Sequence, residues 1–268
     1  MGFIAVAHAA ENTASEGAAL PIHLSPEILG HFFGLPITNT LLTAWLAMAI
    51  VIILVIILRS KLALRPGRFQ LIVEELIGFS FNYIAEVLES KKLARQYFPL
   101  IMTIFIFILA INWVAQVPGL EAITFTTVVE HGSESAKDTI TLFHPAAADL
   151  NITLAFALIA FFAIEIAGVV TIGFFKYFRK FFNFSSPLAF AIGIIEFISE
   201  LARLISFSFR LFGNIFAGKT LILVVLFFLP YFLPVPLMAF EIFVGFIQAF
   251  IFAILTLFFI KLAVEEPH

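Results

Sequence analysis

Apolar residues in this chain run in long blocks that are nearly free of charge. Residues 39–58 (NTLLTAWLAMAIVIILVIIL) carry no charge over 20 positions, enough for a helix to cross a hydrocarbon layer about 30 Å thick. Residues 97–117 are also uncharged and stop at Pro118-Gly119. Residues 150–175 contain one charge, Glu165. Residues 188–229 contain Glu196, Glu200, Arg203, Arg210 and Lys219, with no proline until Pro230, and residues 237–260 are apolar apart from Glu241 and Gln248. Residues 70–90 have a different pattern. There Glu74, Glu75, Glu86 and Glu89 alternate with apolar positions, which predicts an amphipathic helix on the membrane surface or against a partner rather than a sixth span. The pattern therefore predicts an all-α integral membrane protein with about five membrane helices plus one amphipathic surface helix.

A straight helix over residues 188–229 would be about 63 Å long, twice the hydrocarbon thickness. It must either tilt by about 60° or break at Gly193, Gly213 or Gly218. The segment LPYFLPVP (229–236) then turns the chain back, which predicts a long tilted C-terminal helical hairpin over 188–264. Residues 1–38 form a separate N-terminal tail, and 39–268 a single membrane domain.

Basic residues orient these spans. Arg59, Lys61, Arg65 and Arg68 follow the first, and Lys91, Lys92 and Arg95 precede the second. Lys176, Arg179 and Lys180 follow the third, and Lys261 lies at the end of the last. The stretch before residue 59 has no Lys or Arg, and the loop 118–148 has only Lys137 against Glu121, Glu130, Glu134 and Asp138. The positive-inside rule then puts the N-terminus outside and the C-terminus in the cytoplasm. The opening MGFIAVAHAA lacks a basic leader and is too short for a signal peptide, so it reads as an exported tail.

Composition agrees. Hydrophobic residues are 62% and charged residues 12% of the 268, against about 45–50% and about 25% in soluble chains, and the mean hydropathy is +1.10. The net charge of −3 provides no footprint for nucleic acid. With no cysteine, thiolate metal sites and disulfides are excluded. The six histidines (8, 23, 31, 131, 144 and 268) lie outside the apolar runs and are not spaced as metal ligands. Neither a cofactor nor a metal is called for.

The chemistry is therefore expected in the charges inside the longest run. Each of Arg203, Arg210 and Lys219 costs about 2.5–3.5 kcal/mol at a helix centre on the insertion scale unless it faces protein or water. Arg203 could be offset by an ion pair with Glu200 or Glu196. On a helical wheel Glu196, Ser199, Arg203, Ser206, Asn214 and Ala217 fall within about 40° of Arg210, while Lys219 lies about 180° away. On the last helix Glu241 and Gln248 share a face. Residues 213–220 (GNIFAGKT) also fit the phosphate-loop pattern GxxxxGK[ST]. A helical backbone spends its N–H groups on itself, so this match is a decoy.

The stretch Ser206-Phe-Ser-Phe-Arg210-Leu-Phe-Gly-Asn214-Ile-Phe-Ala-Gly218 closely resembles the signature of subunit a of F-type ATP synthases. Gln248-Ala-Phe-Ile-Phe252, Asp149-Leu-Asn151 and Pro66-Gly-Arg-Phe-Gln70 also look like that family, and the resemblance covers about residues 30–265. It implies a non-catalytic stator subunit in the plasma membrane (the inner membrane of a cell with two). Its partners would be the ring of c subunits, the peripheral stalk b subunits, the rest of the synthase and the lipid bilayer. Two offset half-channels would carry protons to and from the ring. Arg210 matches the family's essential arginine, Gln248 the polar residue facing it, and Ser206, Asn214 and Glu196 lie on the same stripe.

An outer access route is expected along Asp149, Asn151 and Glu165, with Asn112 and Gln116 nearby. Asp149 could equally be a plain helix cap. Lys219 stands where the family commonly has Glu or His, and Glu241 where it commonly has His or Glu. They are expected to lie together toward the outer side, either as a static ion pair or with Glu241 relaying protons and Lys219 tuning it. The rivals are a secondary transporter or antiporter, which usually shows an inverted repeat not found here, and a membrane-embedded enzyme, for which no nucleophile, base or metal constellation is evident.

Overall fold

The computed structural model describes residues 26–32, 34–63, 66–131, 134–179, 187–229 and 232–265. Residues 1–25 of the expected tail, Arg65, Lys180 and the Pro230-Tyr231 step of the hairpin turn lie outside the described residues.

Each predicted apolar block is helical. Helix α1 (Asn39–Ser60) is capped by the Thr38 hydroxyl, which accepts from the Leu41 N–H. It buries only a narrow polar and small-residue stripe, Asn39, Thr40, Thr43, Ala44 and Ala47. Ile52 through Ile57 stay exposed, as a lipid-facing surface requires. Helix α2 (Arg68–Val87) is the amphipathic segment. Ile84 is buried while Phe69, Ile72, Leu76 and Phe79 are left uncovered. Helix α3 (Lys91–Ala115) starts at the Ser90 cap and inserts Ile101, Ile104, Ile108 and Ile111 into the core at three- and four-residue spacing.

Helix α4 (Leu150–Ile172) presents Ala157, Ala160, Ala167 and Gly168 to its neighbours, and small residues of this kind allow helices to approach closely. Gly173, at φ 95°, ends it, and a short helix α5 (Phe174–Arg179) turns back so that Tyr177 sits on Gly168. Helix α6 (Pro187–Phe228) runs unbroken for 42 residues, and α7 (Pro234–Val264) follows with 31. None of the three glycines breaks α6, so of the two expected outcomes the long helix is the one found. At that length it can lie within a 30 Å layer only when inclined by about 60°. Phe207 of α6 stacks on Phe252 of α7 with ring centroids 4.8 Å apart. Five of these helices, α1, α3, α4, α6 and α7, are long and apolar enough to cross a membrane.

Among the described residues, two hairpins appear that the hydropathy pattern did not predict. Strands β1 (Ile28–Phe32) and β2 (Leu35–Thr38) form one antiparallel hairpin, and β3 (Thr124–His131) and β4 (Glu134–Thr141) another. A clasp joins the two. Glu27 N–H donates to Asn39 Oδ1 at 3.2 Å, Asn39 Nδ2 donates to the Thr141 carbonyl at 3.1 Å, and Thr141 N–H donates to Glu27 Oε2 at 3.1 Å. At the opposite end of the bundle, Lys261 of α7 bonds Glu89 in the α2–α3 turn at 2.7 Å.

A methyl group on Gly168 would run into the Tyr177 ring and reach the Ala263 carbonyl at 3.0 Å. Gly168→Ala is therefore expected to loosen α5 from α4 and α7 at a cost of about 1–3 kcal/mol. Thermal denaturation of the purified subunit in detergent measures this as a lowered midpoint.

Candidate functional site

The two polar faces expected on α6 are both present, and they meet different surroundings. On the first, Ser199 and Ser206 are exposed, and Glu196, Arg203, Arg210 and Asn214 are half-buried. Arg203 lies over the Phe259 ring, 3.9 Å from its centroid. The Arg210 Nη2 donates to Ser206 Oγ at 3.3 Å. Its Nη1 is buried with no partner among the described residues, as is Asn214 Nδ2. A cavity of about 330 Å³ opens along this stripe between Ser199, Arg203, Ser206, Arg210, Leu255 and Phe259. The stripe is thus the uncovered side of the α6–α7 pair.

The second face packs inward. Ser208 meets Thr153 of α4 at 3.3 Å, and both are buried. Eleven residues on, which is three helical turns, Lys219 donates to His144 Nδ1 at 2.9 Å and pairs with Glu121 at 3.1 Å. Lysine can only donate, so His144 Nδ1 accepts and Nε2 holds the ring's hydrogen; Nε2 is itself buried without a partner. Burial, and after it the Lys219 charge, lowers the His144 pKa to about 3.

Glu241 of α7 is 6% exposed and its Oε2 has no partner among the described residues. Its carboxyl group lies against Gly218, where any Cβ would collide with it. The expected Lys219–Glu241 pair is therefore not formed: Lys219 turns to Glu121 and His144. Further along the same face of α7, Asn112 Nδ2 of α3 donates to the Gly245 carbonyl at 3.1 Å, with its Oδ1 left unpartnered. Gln248 follows, half-buried.

A family model described as ATP synthase A chain matches residues 41–261. The chain belongs to this family. It is 37% identical over 238 residues to ATP synthase subunit a of Mycobacterium ulcerans, covering 86% of this chain and 89% of the relative. To the Moorella thermoacetica subunit a it is 30% identical over 238 residues, covering 89% and 96%. To that of Campylobacter curvus it is 36% identical over 221 residues, covering 81% and 88%. As a member of the ATP synthase A chain family, it is a multi-pass membrane subunit of the synthase complex, and the transporter reading is not favoured.

Within this family member, the expected outer group divides. Asp149 is 4% exposed, accepting from Asn151 N–H and from Thr40 Oγ1, each at 2.8 Å. It is both the cap of α4 and a bridge to α1. Asn151 contributes only its backbone, since its side chain is exposed. Gln116 is half-buried just past the end of α3.

Glu165 is misplaced in the outer set. It lies 16 residues beyond the cap, about 24 Å along the helix, and accepts from the Tyr177 hydroxyl at 2.9 Å. Burial, then the charges of Glu200 and Glu165, pushes the Tyr177 hydroxyl well above its usual range, so it remains a donor. Sequence reasoning missed Thr40, Glu121 and His144. The clue for His144 was its place five residues before Asp149, in FHPAAAD, where three alanines pack into the core.

His144 also predicts a pH response. Its folded pKa lies below the free value of 6.5, so opening its pocket takes up a proton whenever the pH is below about 6.5. Docking of residues 142–149 should be unaffected above that value and weaken steadily as pH falls toward 3. Hydrogen exchange of these amides, corrected for intrinsic rates, should therefore increase from about pH 7.5 to about pH 5. In His144→Gln it should stay flat.

Proposed function

We propose that this subunit is the proton-translocating stator of a rotary F-type ATP synthase. It offers two offset half-channels to a ring of c subunits and forms no covalent bond itself. Arg210 carries this reading. It is a permanent cation on the uncovered side of an unbroken helix, with one guanidinium nitrogen buried and unpartnered. A carboxylate arriving on a rotor surface would meet the accessible part of this guanidinium and give it an anionic partner. Having drawn the deprotonated carboxylate close, the same cation would block a direct leak from one aqueous access path to the other.

In this reading the uncovered stripe with Ser206, Asn214 and Glu196 faces the ring, with Gln248 beside Arg210 on the neighbouring helix. Glu241 exchanges protons on the outer route, with Asn112 as a polar group along it. Asp149 holds that end of the bundle in shape. The peripheral stalk b subunits would anchor the stator. The N-terminal segment 1–38 lies outside the cell and the C-terminus in the cytoplasm, with 39–268 as one membrane domain. Each charge crossing the membrane supplies about 2.3 kcal/mol per 100 mV, so a rotor must sum several crossings for each ATP.

Arg210→Ala in the assembled complex should abolish proton-driven ATP synthesis in vesicles while leaving the amount of complex unchanged. Arg210→Lys should also fail, because an ammonium lacks the planar fork and can lose its proton when desolvated. Near-normal synthesis by either variant overturns the proposal. Glu241→Gln, isosteric but unable to exchange a proton, should lower flux at least about a hundredfold, the lower end of what a positioned acid–base group contributes.

A further inference from the structure

Lys219 of α6 and Glu241 of α7 come together at adjacent positions along α6. Glu241 lies on Gly218, and Lys219 is the next residue. A buried carboxyl group with an unpartnered oxygen therefore packs on the residue next to the one that bears a flexible ammonium, and the two do not pair. The ammonium is taken up elsewhere, by Glu121 at 3.1 Å and His144 at 2.9 Å. Glu121 comes from the segment after α3 and is 43% exposed, whereas the Lys219 side chain is 13% exposed. Glu27, from the clasp, adds a second negative charge to the surroundings of Lys219. His144 is neutral and presents a lone pair. Asp149 has both oxygens engaged by Thr40 and the Asn151 backbone. Further along α7, Gln248 lies seven residues on from Glu241, and Asn112 of α3 bonds the Gly245 carbonyl between them.

We propose that Glu121 and His144 are positioning residues that hold the Lys219 ammonium away from Glu241, leaving that carboxyl group free to exchange protons. This rests on the reading of Glu241 as a proton relay. An ion pair there would favour the carboxylate over the acid, and opposite charges at such distances shift a carboxyl's titration by about 1–3 pH units. A relay locked as the anion hands protons on poorly. The arrangement suits a chain with lysine at this position, because the cation is neutralised on the water side by an exposed carboxylate and the inner carboxyl group keeps its unpartnered oxygen.

The test is ATP synthesis by the whole complex in proteoliposomes as a function of pH at the outer face, normalised to assembled complex. Glu121→Gln frees Lys219 to turn to Glu241, so its profile should move to acid by about 1–3 units, with at least about a tenfold loss near pH 7. Glu121→Asp keeps the anion and should move it by much less. Lys219→Gln, lacking the cation, should show no acid shift either alone or combined with Glu121→Gln, so the double variant rescues the single one. An unshifted profile in Glu121→Gln overturns the proposal, as does a double variant that stays shifted. An alkaline shift of a unit or more in Lys219→Gln alone also overturns it, since Lys219 would then already be acting on Glu241. Normal synthesis by assembled Glu241→Gln removes the relay reading itself. A defective Glu241→Gln beside an unshifted Glu121→Gln leaves the relay standing and rejects only the positioning role.

Discussion

A helix that carries cations through a layer of low dielectric must have each of them answered. On α6 there are three, and each is answered differently. Arg203 spreads its charge over the face of Phe259 at 3.9 Å, an arrangement worth about 0.5–2 kcal/mol depending on how dry it is. Lys219 is matched by a carboxylate and an imidazole from outside the helix. Arg210 has one serine hydroxyl within the chain and a nitrogen left over. Among the described residues, two of the cations thus have ring or charge partners, and the third has one hydroxyl and an unpartnered nitrogen. That inequality separates the uncovered face of α6 from its packing face.

Close packing lets these groups meet. Alanines and a glycine on α4 bring it against α6 and α7, Gly218 makes room for the Glu241 carboxyl group, and Gly245 lies 3.1 Å, measured from an added Cβ, from the Asn112 side chain. In lipid the hydrophobic effect does little to hold helices together, so shape and a few polar contacts must. The polar contacts here are concentrated at the two ends of the bundle, through Thr40–Asp149 and the Glu27 clasp at one and Lys261–Glu89 at the other.

The sequence made the helices legible because a charge-free run long enough to span has few other uses, and because the arginine stripe repeats at helical spacing. Whether α6 would break was not legible: three glycines permit a break, but only packing against α4 and α7 decides. Partners of individual charges were also hidden. Lys219 and Glu241 look like a pair when read along the chain, yet Glu121 and His144 come from a loop whose approach depends on the β3–β4 hairpin and the alanine turn before Asp149. Glu165 was grouped with Asp149 although 16 residues of one helix, about 24 Å, separate them; what the sequence hid was its Tyr177 partner, because a six-residue helix leaves little periodicity to read.

The clasp at the end of α1 also bears on how the chain is made. Asn39 bonds a carbonyl 102 residues further on, so during synthesis the clasp cannot close until the second hairpin has been made. Until then α1 stands in lipid with Asn39, Thr40 and Thr43 uncovered. A membrane insertase or a neighbouring subunit that shelters this polar edge would keep the nascent span from slipping out of register before its own loop arrives to hold it.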